Sequence, residues 1–190
     1  MEALDGLTAG VELIETALQA GVLMSKFSTH RQCSIHVTNF SDHYVLANPG
    51  MYVCRGCCVD TFPHRIFPSS SGSAVFLKKS FTGRGFFGVV TFDLFDTSTQ
   101  KTTEQMAVLF KVPHNIDISS EYAVGVVDFG RLCDKSLFKE MMEGTNVACV
   151  KGDSKGSSLT LRNQQFSIRA MMLDGLSPVM KVHVSTNEEI

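Results

Sequence analysis

The chain contains no tryptophan and only 3 tyrosines. A full belt of Trp and Tyr at a membrane boundary, or a full Trp-Tyr cage around a quaternary ammonium, therefore cannot be built from it. It also lacks the run of about eighteen apolar residues that a transmembrane helix needs. Basic residues are not gathered: 17 Lys and Arg stand against 19 Asp and Glu, for a net charge of -2. Nucleic acid attracts Lys and Arg clustered along one face, so it is not an expected partner. Glu2 and Asp5 stand where the basic segment of a secretory signal belongs, and no continuous apolar core follows. Export by the usual route is not expected from such a start.

Signatures of catalysis are missing too. No carboxylate pair placed for acid–base work is evident. Gly83-Arg84-Gly85-Phe86-Phe87-Gly88 matches G-x-G-x-x-G, but it precedes a strand and so lacks the helix N-terminus that holds a pyrophosphate. It reads as a turn. His36 and His183 fall out of phase with apolar neighbours in alternating stretches and are expected to face solvent. His30, His43, His64 and His114 lie in or near loops. Of the 6 cysteines, Cys54, Cys57 and Cys58 cluster near His64 without the second ligand pair of a zinc site. No enzyme, cofactor or metal is expected, and the thiols are expected to be reduced.

What is present suits one domain with a substantial core: 190 residues, 44% apolar and 19% charged. Residues 1–27 read as an amphipathic helix. Leu4, Leu7, Val11, Ile14 and Leu18 recur at steps of three and four, with Asp5, Glu12, Glu15 and Gln19 on another side. Gly6, Gly10 and Gly21 each weaken it by about 1 kcal/mol relative to alanine, so it needs packing or an interface.

From Cys33 the pattern turns to period two. Strands are expected at 34–38, 44–46, 51–53, 74–77 and 86–95, with a turn at Asn48-Pro49-Gly50. Residues 61–72 read as a long surface loop and 96–103 as a hairpin connection. Further strands are expected at 158–161, 166–172 and 179–184. The result is a mainly β protein, a single-domain β-sandwich over 31–187 flanked by two α-helices.

The second helix belongs to the densest stretch, 106–142. Met106 to Phe110 is an apolar run with the composition of a strand buried on both faces, and Val112-Pro113 stops it. An exposed loop follows at 114–121, then a strand at 122–127. Asp134 is placed to cap a short helix near 134–142, with Leu137, Phe138, Met141 and Met142 on one side and Gly144 to end it.

The succession AVLFKVP, loop, YAVGVVD and capped helix resembles the central block of the actinoporin-like pore-forming proteins, particularly the fish-type members. Lys151-Gly152-Asp153 and the closing VMKVHVS carry the likeness over most of the chain. The resemblance implies a single domain over 1–190 whose residues 1–27 leave the body and line a pore. Leu4, Asp5, Leu7, Val11, Glu12, Ile14, Glu15, Leu18 and Gln19 would form that lining helix, and an acidic lumen would favour cations. It further implies headgroup or glycan binding at Cys54, Arg55, Phe87, Lys111, Pro113, His114, Ser119, Phe138 and Met142. Membrane contact would fall to Ile116, Ile118 and Tyr122. Lys151-Gly152-Asp153 occupies the place of an Arg-Gly-Asp element associated with protomer contacts in the family; alone, it reads as a generic turn. The implied partners are a lipid membrane and further copies of the chain. The implied location is soluble first, then a target cell membrane, with secretion by analogy.

The chain departs from the family where the family's tyrosines and tryptophans meet choline. Ile118, Ser119 and Tyr122 stand for the tip-loop aromatics, and Phe138, Met142 and Glu143 for the helix tyrosines. Of a Ser-x-Pro-Tyr element only Pro113 is kept. Asp117, Glu121 and Glu143 would oppose a strongly anionic surface. Two functions stay open: an oligomerising pore former, favoured by the amphipathic segment, and a non-lytic lipid- or glycan-binding module, favoured by the lost aromatics. Fungal fruit-body lectins use this architecture in the second way.

Overall fold

A computed structural model describes residues 31–79 and 84–187. The expected helix at 1–27, with every lining residue named on it, lies outside the described residues. Gln32–Ile190 is a compact unit of its own.

Two six-stranded sheets face each other. The first has β1 (Gln32–Asn39), β3 (Gly56–Asp60), β5 (Ser70–Lys78), β10 (Leu159–Arg162), β11 (Phe166–Leu173) and β12 (Val179–Thr186), in the order β10-β11-β12-β1-β5-β3. The second has β2 (Tyr44–Cys54), β4 (Arg65–Ile66), β6 (Phe86–Asp96), β7 (Lys101–Val112), β8 (Glu121–Asp128) and β9 (Ala148–Asp153), in the order β4-β2-β6-β7-β8-β9. The single helix among the described residues, α1 (Lys135–Glu143), follows β8.

Alternation builds the core between the sheets. Phe166, Ile168, Ala170 and Met172 of β11 point inward with Met180, Val182 and Val184 of β12. The run in β7 is continuous because both its faces are covered. Met106, Val108, Phe110 and Val112 join the core between the sheets, while Ala107 and Leu109 lie with Leu137 and Met141 of α1 on the outer face. The helix ends as expected: Asp134 Oδ1 accepts from the Leu137 N–H at 3.0 Å, and Gly144 is left-handed at φ 71°.

Several expectations are corrected. Asn48-Pro49-Gly50 is a bulge inside β2, with the register shifting between Ala47 and Gly50 and Asn48 at φ 50°. Pro49 has no N–H to give a ladder, and a bulge accommodates it without ending the strand. Residues 61–72 are no simple surface loop: Phe62 and Ile66 are buried, and β5 already starts at Ser70, paired to Asn39. Strands β3 and β9 lack clean alternation and were not expected. Lys151-Gly152-Asp153 therefore lies in a strand, opposite Ala123, Tyr122 and Glu121. The turn comes just after it, where Asp153 Oδ1 accepts from the N–H groups of Lys155 and Gly156. His36 and His183 are on the outward face of the first sheet but half-buried. Burial and, after it, Lys181 lower both imidazoles below the usual histidine value, with Arg169 adding to the effect at His183.

Candidate functional site

At one end of the second sheet, neighbouring strands place Cys54, Phe87, Lys111, Glu121 and Asp153 in a single row. Phe87 has the same parity as Val89, and Lys111 the same as Leu109, so the row continues the face that α1 covers. The helix adds Phe138. Its ring stacks on Phe87 with centroids 4.7 Å apart at 24°, and the Tyr52 ring lies 6.5 Å from it, tilted by 49°. Arg55, at the corner between β2 and β3, holds its guanidinium carbon 5.9 Å from the Phe87 centroid. Burial, then a hydrogen bond with the Cys54 thiol, raises the Tyr52 phenol above its usual value.

Cys54, Arg55, Phe87, Lys111, Phe138 and Met142 are thus brought to one surface although they come from three strands, a helix and the corner after β2. Tyr52 belongs with them and was missed. Period two had already put it on the Cys54 side of β2, which is the signal that could have found it.

The charges on this face are largely balanced within the protein. Lys111 Nζ is 2.6 Å from Glu121 Oε1, and Lys139 Nζ is 3.7 Å from Glu143 Oε1. Lys151 Nζ donates to the Met142 carbonyl at 2.7 Å. Of the three acids expected to oppose an anionic surface, Glu121 and Glu143 have a basic partner, and Asp117 has none among the described residues.

The loop after β7 forms the adjoining tip. Asn115 Oδ1 accepts from the Asp117 N–H and its carbonyl from the Ile118 N–H, a turn that lifts Ile116 and Ile118 to 57% and 54% exposure. Pro113 and Ser119 are half-buried, and His114 Nδ1 lies 3.1 Å from Lys78 Nζ of the first sheet. Tyr122 is not a contact residue. β8 starts at Glu121, so alternation turns Tyr122 inward; it is 2% exposed, and its hydroxyl donates to the Ser157 carbonyl. No helix among the described residues is long and apolar enough to cross a membrane.

Neither a family model nor a curated protein matches this sequence. The fold does find a counterpart. The crystal structure of the lipid-binding protein Nakanori superposes with a TM-score of 0.71, over 91% of this chain and 80% of that one, at 13% identity. This chain shares the fold of Nakanori. The lectin XCL of Xerocomus chrysenteron overlaps more loosely, with TM-scores of 0.44 for a mutated form and 0.43 for the wild type. Identity to each is 12%, over 82% and 81% of this chain and 99% of the lectin. At 13% identity the likeness to Nakanori is one of fold, and sites rather than folds carry function.

Proposed function

We propose that this protein is a lipid-binding module of the actinoporin-like kind that docks on bilayers with the end carrying Arg55, Phe87, Phe138 and the 114–120 loop. The observation that carries the reading is the convergence of a stacked aromatic pair, an exposed guanidinium and two exposed isoleucines on one end of the sandwich. The shared fold of a lipid-binding protein supports it. No bond is made or broken in this function, and no enzyme activity is proposed.

The geometry also favours one headgroup chemistry. A choline cage needs open aromatic faces, but Phe87 has Phe138 on one side and the protein's own cation Arg55 close by. A quaternary ammonium would compete with that guanidinium. A phosphate oxygen would instead meet it as an acceptor, in a charge-assisted hydrogen bond. Ile116 and Ile118 would then settle among the headgroups.

Sedimentation with vesicles of phosphatidylcholine, sphingomyelin, phosphatidylserine-containing and glycolipid-containing composition tests this. The protein is expected to sediment best with phosphatidylserine present and less so at high salt. Arg55→Glu should weaken binding about thirty-fold, since each basic residue near an anionic surface contributes about 1 kcal/mol and reversal counts twice. Failure to sediment with any of these vesicles would rule out the reading and leave glycan binding to be screened. Permeabilisation is the further step, assigned to insertion of residues 4–23 with the acidic side toward water. Removing residues 1–27 should leave sedimentation intact and abolish dye release; release that survives the deletion would exclude that step.

A further inference from the structure

A second loop stands beside the first. Between β11 and β12, residues 174–178 carry Leu176 at 74% exposure, and Leu173 before them is at 50%. Both ends of this loop are tied down. Asp174 Oδ2 accepts from the Ser120 N–H at 3.1 Å and from the Ser154 hydroxyl at 2.6 Å, while its Oδ1 accepts from the Ser120 hydroxyl at 3.1 Å. On the far side the Pro178 carbonyl accepts from the Ser34 N–H, and the Ser177 hydroxyl from the Gln32 side chain. Ser120 closes the loop that bears Ile116 and Ile118. One carboxylate therefore fixes the two loops side by side.

We propose that the 174–178 loop is a second bilayer anchor, held by Asp174 in step with the 114–120 loop so that Leu176 and Ile118 enter the same leaflet. The inference rests on the lipid-binding reading above and extends it to residues which that reading does not use. Charge selects the occupant. Arg55, Arg84 and Lys155 are exposed at this end and outnumber Asp117 of the first loop, while Asp153 directs an oxygen into its own turn. The opposite end carries Asp42, Asp96, Glu104 and Asp128 against the exposed Lys101 and Arg162. Aliphatic side chains on separate loop tips, rimmed by basic residues, match an anionic bilayer interface; a protein partner would be met better by a flat continuous patch. The pinning also matters energetically. Loops already ordered lose little conformational entropy when they insert. Hydrogen bonds at Asp174 outweigh the opposing effect of its burial and lower its carboxyl below the usual value, so the carboxylate persists at neutral pH.

Because the chain has no tryptophan, a single introduced indole reports its own surroundings. The test uses full-length Leu176→Trp, Ile118→Trp and, from the opposite end, Phe40→Trp, with vesicles of phosphatidylcholine and phosphatidylserine containing brominated acyl chains. Indoles at positions 176 and 118 are expected to shift to the blue and be quenched, and the one at position 40 to do neither. In parallel, Leu176→Ser should reduce partitioning about ten-fold, the loss expected for one leucine no longer buried. Quenching at 118 but not 176, with Leu176→Ser binding like the parent, would overturn the second anchor and leave the lipid-binding reading standing. Absence of quenching at both positions, with no sedimentation of the parent, would overturn both.

Discussion

Phe110→Ala is expected to lower the unfolding free energy by about 3–5 kcal/mol, the range for truncating a large buried aromatic. Phe110 is completely buried between the sheets. Its ring centroid lies 4.6 Å from that of Phe76, in the facing sheet, and 6.3 Å from that of Phe86 on the next strand. It therefore joins the two layers. Little could collapse into the space it leaves, because Gly88, whose missing Cβ would sit 2.8 Å from the ring, has no side chain to move in. The loss should fall at the upper end of the range, a large share of the 5–15 kcal/mol typical of a domain. Urea denaturation would show it as a fall in the midpoint with the slope unchanged. A shift worth less than about 1 kcal/mol would contradict the core described here.

Sequence periodicity carried far where burial is one-sided or complete. β1, β11 and β12 alternate cleanly, and the apolar run in β7 announced a strand covered on both faces. The cap at Asp134 and the stop at Gly144 were legible because each rests on local hydrogen bonding and backbone conformation. Strands β3 and β9 escaped because Gly56-Cys57-Cys58 and Lys151-Gly152-Asp153 carry no hydrophobic period; pairing with a neighbour makes them strands. Asn48-Pro49-Gly50 has turn chemistry, yet the continuous partner β6 holds β2 together through the bulge.

The candidate site divides along the same line. Phe87, Arg55 and Phe138 were named by resemblance, and the structure brings them together. Tyr122 was assigned to the loop by position, but β8 begins one residue before it and turns its side chain into the core. The 174–178 loop had no signal at all. Its placement depends on Asp174 reaching Ser120, 54 residues away in sequence, and a lone aspartate before a glycine reads only as a turn.

Gly85 joins these strands and the candidate site. The sequence offered it as part of a chance glycine motif in a turn; the structure gives it a packing role. A Cβ there would collide with the Val112 carbonyl oxygen and lie 2.8 Å from Pro113 Cα and 3.0 Å from the His114 N. All three are backbone atoms, so no side-chain rotation relieves the contact. Gly85→Ala must push the start of β6 away from the end of β7, breaking the Phe86–Val112 pairing and disturbing the Phe87–Lys111 step beside it. The expected cost is about 3 kcal/mol, the upper end for overpacking. The consequence for the site should exceed that of a stability loss alone. Pro113 and His114 open the 114–120 loop, and Phe87 carries the stack with Phe138. Vesicle sedimentation should therefore weaken in Gly85→Ala even at temperatures where circular dichroism shows it folded, whereas Phe110→Ala, destabilised at least as much but remote from the surface, should bind normally while folded. Equal sedimentation of the two folded variants would mean that the close approach at Gly85 supports the fold without shaping the site.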